Sequence, residues 1–425
     1  MRVLIAGGGW SGVAAAMQVA RMGAHAVLME RTDMLLGTGL VGGIMRNNGR
    51  FTATEELMAM GADDIFRAID GNYLHSEIHF PGHDHASLYN VATMEPIIHR
   101  RLTDAGVEVL LRARLTDVKM TDRTIESVIY RHKGDKTVLE IAADSFIDTT
   151  GTAGPAANCS KYGNGCAMCV LRCHSFGGRV SLAAKAGVEE MIGSKNGQTG
   201  AFSGSCKLLK ESLDAQIVKT LDREGVVVVA IPPALKSTGK LSIKACQQYA
   251  LPEFENNIVL LNTGHAKLMT PYFPLTALRQ IPGFENARYE DPYAGGMGNS
   301  IRYVGMSPRD DALKVEGVDN LYSGGEKAGL LVGHTEAICT GTLAGYNAVR
   351  QVRGEAPLAL PDTSVIGDAV THVRRRMQTP EGMGLKFTFS GSVLFERMKE
   401  KGTYTTDPVA IGERVHKIGL SDVFR

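Results

Sequence analysis

The sequence has no excess of charge of either sign, no long apolar run and no cysteine before Cys159. Its 46 lysines and arginines face 45 acidic residues, for a formal net charge of +1. A near-neutral chain has no general electrostatic attraction to nucleic acid, so we expect no nucleic-acid partner. A transmembrane helix would need about 20 apolar residues in a row, and a signal peptide would need a longer apolar N-terminus. We therefore expect a cytoplasmic protein without a membrane partner.

Glycine is abundant instead. It accounts for 49 of the 425 residues and follows no collagen period. Because glycine allows another group to approach the backbone closely, this composition favours a fold that brings its backbone close to ligands. The length corresponds to about two to four structural units.

The first thirty residues carry a strand–glycine–helix–strand pattern. Residues 3–6 are fully apolar, Gly7, Gly9 and Gly12 follow in a G-x-G-x-x-G spacing, and a second apolar run ends at Glu30. In such a motif the glycines allow a tight turn, close approach to a pyrophosphate and close packing of helix on strand. The helix N-terminus attracts phosphate, and the acid accepts hydrogen bonds from a ribose. The pattern predicts a dinucleotide site that contains Gly7, Gly9, Trp10, Ser11, Gly12, Glu30 and Arg31.

Later segments favour FAD as the dinucleotide, since the acid after the second strand argues only against NADP. Residues 31–49 form a glycine-rich loop suited to passing beside a flavin. Residues 318–326 repeat the strand-then-glycine pattern before a helix of small residues, and residues 144–151 form a strand that ends in Thr-Thr-Gly. The last two segments resemble the flavin-contacting elements of two-dinucleotide-fold flavoproteins. With the glycine-rich loop, this resemblance implies FAD contacts at Gly37, Gly42, Gly43, Thr150, Gly151, Gly324, Gly325, Glu326, Gly333, His334 and Thr335.

Residues 278–287 and 321–348 resemble segments of a flavoprotein superfamily. It is the FAD-dependent oxidoreductase superfamily that includes the folate- and flavin-dependent tRNA uracil-5-methyltransferases and the glucose-inhibited-division tRNA-modification flavoproteins. The resemblance implies flavin contacts at Gly324, Gly325, His334, Thr335 and Glu336, with a helix N-terminus facing the pyrimidine end of the isoalloxazine. His334 is the predicted proton donor and Glu336 its predicted catalytic partner. Leu115 lies where such folds contact the adenine.

The loop over residues 40–49 departs from the RNA-modifying members of that superfamily. Those members carry a cysteine shortly after the second strand, and this loop has none. Without a soft nucleophile, covalent attack on C6 of uracil has no obvious agent. This departure argues against RNA methylation.

Four of the seven cysteines fall within fifteen residues: Cys159, Cys166, Cys169 and Cys173. In a cytoplasmic protein such a group is more typical of metal binding or catalysis than of structural disulfides. Four thiolates suit a [4Fe–4S] cluster, which we expect beside the flavin, or a structural zinc ion. A redox disulfide between Cys166 and Cys169, or plain structural thiols, are the alternatives.

The remaining segments predict secondary structure more than chemistry. Residues 108–111, 117–118 and 124–130 predict a three-stranded antiparallel meander, after which residues 137–141 return to the sheet. A polar loop with solvated histidines is expected over residues 75–85, because a metal site needs three or four converging ligands. Buried strands are expected over residues 226–231 and 258–261.

These observations predict an α/β fold: a Rossmann-like FAD-binding domain of the glutathione-reductase type, an inserted α+β substrate domain and a C-terminal helical tail. We assign residues 1–50, 90–155 and 300–355 to the FAD-binding domain. Residues 51–89 and 156–299 form the substrate and cysteine-cluster region, and residues 356–425 form the tail.

The predicted function is an FAD-dependent oxidoreductase that moves electrons between a small organic substrate and the cysteine-ligated centre. A one-electron carrier such as ferredoxin, NAD(P)H as a reductant and a homo-oligomeric state are further expectations. A folate-dependent RNA uracil methyltransferase-like flavoenzyme and a non-catalytic electron-transfer flavoprotein subunit are the alternatives.

Overall fold

A computed structural model describes most of the chain. The described residues are 1–134, 137–152, 172–195, 198–199, 201–202, 206–236, 239, 241, 247–270, 273–290, 301–302 and 305–425.

Fifteen α-helices lie in this part of the chain. They are α1 Trp10–Arg21, α2 Gly39–Gly42, α3 Gly49–Ala59, α4 Asp64–Asp70, α5 Met94–Asp104, α6 Cys173–Phe176, α7 Leu182–Lys185, α8 Ala215–Glu224, α9 Pro252–Asn256, α10 Leu275–Leu278, α11 His334–Val352, α12 Val365–Met377, α13 Pro380–Met383, α14 Ser392–Glu400 and α15 Pro408–Lys417. Short 3-10 helices cover Lys210–Ser212, Pro233–Leu235, Gln247–Tyr249 and Gly325–Ala328.

The described part of the chain contains 21 β-strands. They are β1 Arg2–Ala6, β2 His25–Met29, β3 Ile44–Met45, β4 Tyr73–Phe80, β5 His83–Tyr89, β6 Glu108–Leu110, β7 Ala113–Thr121, β8 Thr124–His132, β9 Val138–Ala142, β10 Ser145–Asp148, β11 Met191–Ile192, β12 Ser194–Lys195, β13 Gln198–Thr199, β14 Ala201–Phe202, β15 Cys206–Leu208, β16 Val226–Ala230, β17 Asn257–Asn262, β18 Ala266–Leu268, β19 Ile301–Arg302, β20 Gly305–Met306 and β21 Leu321–Ser323.

A five-stranded parallel sheet is the centre of the fold, with strand order β21-β10-β1-β2-β6. Val3, Leu4 and Ile5 of β1 are fully buried because the sheet is covered on both faces. This arrangement confirms the predicted Rossmann-like α/β fold. It also places the carboxyl ends of β1, β2, β10 and β21 along one edge, where ligands bind in open α/β sheets.

Two glycines bring helices α1 and α11 into close contact. A Cβ atom added at Gly341 would lie 2.1 Å from the backbone oxygen of Ser11, and one at Gly345 would lie 2.6 Å from that of Ala15. Only glycine allows this approach at either position. The first turn of α1 therefore packs against the second turn of α11.

The predicted meander was wrong in one strand. Residues 108–110 join the parallel sheet beside β2, and the antiparallel meander consists of β7, β8 and β9. The physical reason is connectivity: helix α5 ends at Asp104, immediately before β6, so helix and strand complete a crossover onto the parallel sheet. Residues 137–141 were expected to return to the sheet after the meander, but β9 is itself the third strand of the meander, paired with β8.

Two further antiparallel sheets have the strand orders β15-β18-β17-β16, from residues 206–268, and β3-β5-β4, from residues 44–89. Strands β16 and β17 confirm that residues 226–231 and 258–261 form strands, and β17 is buried as predicted. Strand β16 lies at the sheet edge and only its Val227 is buried, so the prediction of a buried strand was wrong there. The polar loop expected over residues 75–85 was wrong, because β4 and β5 form a hairpin there. Its His83 is buried, and the ring packs on Phe80 and Tyr249.

The C-terminal region is helical, as predicted, and it packs back onto the core. Its residue Phe387 pairs with the segment before α11 through hydrogen bonds to Leu330 and Val332. Among the described helices none combines the length and the apolar character that a membrane span requires.

Candidate active site

The first glycine turn connects β1 to α1 and is shaped by contacts with residue Thr149. Gly7 has a φ of 106°, and a Cβ atom added there would lie 2.4 Å from the backbone oxygen of Thr149. A Cβ atom at Gly12 would lie 1.9 Å from the backbone oxygen of Gly7. The Thr149 hydroxyl lies 2.9 Å and 2.7 Å from the backbone oxygens of Ala6 and Gly7. The turn is therefore tight and tied to the strand that ends beside it.

Gly9 of the same turn faces open space. No atom lies within 4 Å of the position of an added Cβ, and Gly9 caps the N-terminus of α1 with extended backbone. The first turn of α1 contains no acidic residue. Its N–H groups and the helix dipole therefore suit an anion such as a pyrophosphate.

Glu30 lies after β2 and is fixed by backbone N–H groups. The amide of Gly8 donates to its Oε2 at 2.8 Å, and the amide of Thr32 donates to its Oε1 at 2.7 Å. Next to it, the Arg31 guanidinium donates to the backbone oxygen of Gly177 at 2.7 Å. Burial lowers the pKa of Arg31 below its usual value. The fixed carboxylate is placed to accept hydrogen bonds from a ribose.

The second glycine turn connects β21 to α11. Gly324 lies against the Ser11 side chain, where an added Cβ would meet the hydroxyl at 2.5 Å, and the Gly325 amide donates to the Thr340 hydroxyl at 2.8 Å. Gly333 has a φ of 150°, and helix α11 begins at His334. The two turns therefore contact each other directly.

Three rings lie together at this end of the site. The indole of Trp10, the phenol of Tyr89 and the imidazole of His334 have centroids 5.9 to 6.4 Å apart. The indole N–H donates to the Tyr89 hydroxyl at 3.3 Å, and that hydroxyl donates to the backbone oxygen of Gly39 at 2.7 Å. Burial raises the pKa of Tyr89 above its usual value, so this hydroxyl stays protonated as a donor.

Both turns open into one cleft with about 1240 Å³ of non-protein space, including the solvent at its mouth. Its lining contains most of the FAD contacts predicted from the sequence: Gly7, Gly9, Trp10, Ser11, Glu30, Arg31, Gly37, Leu115, Thr150, Gly151, Gly324, Gly325, Glu326, Gly333 and His334. Residues from four separate parts of the chain meet there. They bound one shared space.

Other predicted contacts lie behind the lining. Gly12 is packed against the first turn, and a Cβ at Gly42 would overlap the His334 ring at 1.8 Å. Gly43, with a φ of 76°, lies against the Thr263 side chain. Thr335 is fully buried within α11. These residues do not line the cleft and instead pack behind the residues that do.

Glu336, the predicted catalytic partner of His334, is fully buried and does not line the cleft. Its carboxylate lies 3.1 Å from Nε of Arg50 and accepts hydrogen bonds from the Thr388 hydroxyl and the Phe389 amide. Arg50 carries no local sequence signal, since its partner lies 286 positions along the chain. Residues Thr38, Arg179, Val180 and Val332 also line the cleft without having been predicted.

Three members of the predicted cysteine cluster, Cys159, Cys166 and Cys169, lie outside the described residues. Cys173 begins helix α6, near Arg31. Within the described ranges no group of three or more histidine, cysteine and acidic side chains is arranged to hold a metal ion. The [4Fe–4S] cluster stays a prediction.

Comparisons with known families match both halves of this site. Residues 2–159 match the family model "FAD dependent oxidoreductase", and residues 253–356 match "Glucose inhibited division protein A". Each match covers less than half of the chain. The matches confirm the resemblance to FAD-dependent oxidoreductases that the motifs indicate.

Curated relatives resemble only a part of the chain. The methylenetetrahydrofolate–tRNA-(uracil-5-)-methyltransferase TrmFO of Thermus thermophilus is 34% identical over 108 residues, which are 25% of this chain and 23% of that protein. The tRNA uridine 5-carboxymethylaminomethyl modification enzyme MnmG of Clostridium novyi is 33% identical over 117 residues, 27% of this chain and 17% of that protein. The alignments thus span less than a quarter of either relative.

Solved structures share the fold over the whole chain. The form I crystal structure of Aquifex aeolicus GidA matches with a TM-score of 0.60 at 14% identity and covers 100% of this chain and 76% of that one. The form II crystal matches with a TM-score of 0.58. At this identity the likeness establishes the fold alone.

Proposed function

We propose that the chain is an FAD-dependent oxidoreductase that binds FAD along the cleft between its two glycine turns. The observation that carries the proposal is the meeting of Gly9, Glu30, Thr150 and Gly324 in one lining, each following a different strand of the parallel sheet. The space is bounded by glycines where the backbone approaches a ligand, as FAD requires. The same proposal assigns residues 1–50, 90–155 and 300–355 to FAD binding.

Each end of the cleft offers the groups that one part of FAD needs. The N-terminus of α1 faces the pyrophosphate, and the Glu30 carboxylate accepts from the ribose of the adenosine. Arg31 and Leu115 lie at the same end. Beyond this helix start, the Trp10 side chain, Gly333 and His334 would flank the isoalloxazine. Bound FAD would supply the capacity to take up and release an electron pair.

His334 is the group best placed to hold or move a proton at this end of the cleft. It is the first residue of α11, it lines the cleft, and its ring is confined by Gly42 and by the Trp10 and Tyr89 rings. An imidazole titrates near neutral pH and can therefore act as donor or acceptor. Glu336, held by Arg50, serves as a positioning residue.

For the substrate we favour a uridine base in RNA over a small organic molecule. The relatives named above act on tRNA by their names, and this supports an RNA partner against the expectation from net charge. The loop over residues 40–49 still lacks a cysteine, and no cysteine among the described residues lines the cleft. The proposal therefore assigns to this chain the redox part of uridine modification, without a cysteine nucleophile from that loop.

A second candidate is electron transfer between a small organic substrate and a [4Fe–4S] cluster held by Cys159, Cys166, Cys169 and Cys173. The dense spacing of these cysteines favours it. NAD(P)H or a ferredoxin would then be the electron partner. Anaerobic iron and sulfide analysis of the purified chain tests this candidate, with the Cys166→Ser variant as the control.

The main proposal is tested by reconstitution followed by turnover. The purified chain is incubated with FAD and desalted, and we expect one flavin per chain by visible absorbance. The flavin is then reduced anaerobically and mixed with an unmodified tRNA transcript, with and without methylenetetrahydrofolate. Reoxidation that depends on the transcript, with a new uridine derivative in the digested RNA, supports the proposal. A protein that binds FAD but is reoxidised at the same rate with and without RNA contradicts the RNA substrate.

A further inference from the structure

A buried ion pair lies directly behind the wall of the cleft at the second glycine turn. A Cβ atom added at Gly333 would lie 2.0 Å from Oε2 of Glu336 and 2.1 Å from Nη2 of Arg50. Gly333 itself lines the cleft. Because glycine has no side chain, only its backbone separates the two charges from any ligand in that part of the cleft.

The acidic member of the pair has its acceptor positions occupied. Nε of Arg50 donates to both oxygens of Glu336 at 3.1 Å. Oε1 also accepts from the Thr388 hydroxyl at 2.6 Å and from the Phe389 amide at 2.9 Å. Glu336 is fully buried, so its charge is screened by protein groups alone.

The basic member is held as firmly from the other side. Nη1 of Arg50 donates to the Asn47 side-chain oxygen at 3.2 Å, and Nη2 donates to the Thr388 hydroxyl at 3.1 Å. Burial works to lower the pKa of Arg50, but Glu336 and Tyr249 hold that pKa above its usual value. The guanidinium is thus permanently charged and fixed in place.

A buried ion pair is a weak source of stability, because desolvation offsets most of the attraction. The pair is notable for its location instead. Its two opposite charges lie in a region of low dielectric and are separated from the cleft by the backbone of Gly333. A charge there acts on a redox group far more strongly than the same charge in water.

We propose that Arg50 and Glu336 are a positioning pair that sets the electrostatic potential at the ring end of the cleft and thereby the reduction potential of bound FAD. The inference rests on the proposed FAD binding and deepens it. Reduction adds negative charge to a flavin, so a net positive charge behind Gly333 stabilises the reduced form and a net negative charge destabilises it. The intact pair keeps this part of the wall close to neutral.

The proposal predicts shifts of opposite sign from two neighbouring substitutions. Glu336→Gln leaves the Arg50 cation uncompensated, and we expect the equilibrium constant for reduction to rise about tenfold, about 30 mV for a two-electron couple. Arg50→Gln leaves the Glu336 carboxylate without its partner, and we expect the equilibrium constant for reduction to fall by a similar factor. Arg50→Lys keeps the charge, and the double variant R50Q/E336Q removes both charges. For each of these two variants we expect an equilibrium constant for reduction within about twofold of that of the original chain.

A second buried acid, further along α3 from Arg50, provides the control. Glu56 is also fully buried and accepts from the Val365 and Ile366 amides and from Arg414. None of these residues lines the cleft. Glu56→Gln should therefore lower stability without changing the reduction potential.

The experiment is a dye-equilibration titration of each FAD-loaded variant, with visible absorbance as the readout. Opposite shifts in E336Q and R50Q, with none in E56Q, support the proposal. Shifts of the same sign, or none in variants that retain FAD, overturn it. If only one of the two single variants folds, a shift of its reduction potential in the predicted direction supports the proposal, and a shift in the opposite direction or none overturns it. If both fail to fold while the double variant folds, the role is structural and the proposal is wrong. An original chain that takes up no FAD contradicts the proposed function instead.

Discussion

The two strand–glycine–helix turns of the cleft share a backbone plan but differ in electrostatics. Helix α1 begins without an acidic residue in its first turn, and the position of a Cβ at Gly9 is open. Helix α11 begins with Glu336 in its first turn, and the position of a Cβ at Gly333 is filled by that acid and Arg50. The first helix start is therefore suited to an anion, and the second is backed by charges that cancel.

The difference explains how one cleft can hold the two unlike ends of a dinucleotide. A pyrophosphate carries negative charge and is stabilised by exposed N–H groups at a helix start. An isoalloxazine is a planar ring, and an unpaired charge behind it would favour one oxidation state. The buried pair allows a second helix to begin at the cleft without that bias.

The largest effect is expected from the same substitution in both turns. Gly333→Ala places a methyl group onto Arg50 and Glu336 in a backbone region that side chains rarely adopt, and we expect a loss of about 3 kcal/mol in unfolding free energy. Gly9→Ala should leave that free energy within about 0.5 kcal/mol and weaken FAD binding roughly tenfold, because the methyl group enters the ligand space. Urea unfolding without FAD and flavin titration measure the two. An equal loss of unfolding free energy in both variants would contradict the proposed difference between the two turns.

A smaller effect is expected where the two helices touch. Gly341→Ala adds a Cβ atom 2.1 Å from the Ser11 backbone oxygen and should cost about 2 kcal/mol by pushing α1 and α11 apart. Gly412→Ala in α15 is the control, since no atom lies within 4 Å of its added Cβ. That change should be neutral or stabilise by up to about 1 kcal/mol. Thermal melts of both variants compare them, and equal melting temperatures would contradict the tight helix contact.

The smallest effect is expected at Glu30, which belongs to the first turn alone. Glu30→Gln keeps the shape of the side chain but removes the charge that accepts from the Gly8 and Thr32 amides. We expect FAD affinity to fall about tenfold, which is about 1.4 kcal/mol, with no change in reduction potential. Glu108→Gln, at an exposed position of β6, is the matched control. A shift of potential in Glu30→Gln would contradict the separation of roles.

The parallel sheet and both glycine turns could be predicted because their signals are local. An apolar run, glycines at fixed spacing and a following helix lie within about 30 residues. The order of strands after β2 was harder, and residues 108–110 were placed in the wrong sheet. Their apolar pattern suits either sheet, and only the position of helix α5 before them decides between the two.

The residues that line the cleft could largely be predicted from the sequence, whereas the residues packed behind them could not. Gly7, Glu30 and His334 lie in recognisable motifs, and all three line the cleft. Gly42 was expected to contact the flavin, yet it makes room for the His334 ring. The sequence does not reveal this contact because it joins two segments that are far apart along the chain. The pair of Arg50 and Glu336 has no sequence signature, because an ion pair across 286 positions is determined by the fold alone.

The most direct test of the account is a crystal structure of the chain with FAD bound. The account predicts the pyrophosphate at the N-terminus of α1, the adenosine ribose within hydrogen-bond distance of Glu30, and the isoalloxazine in contact with the backbone of Gly333. An isoalloxazine at the Arg31 end of the cleft, with the adenosine beside Gly333, would contradict it.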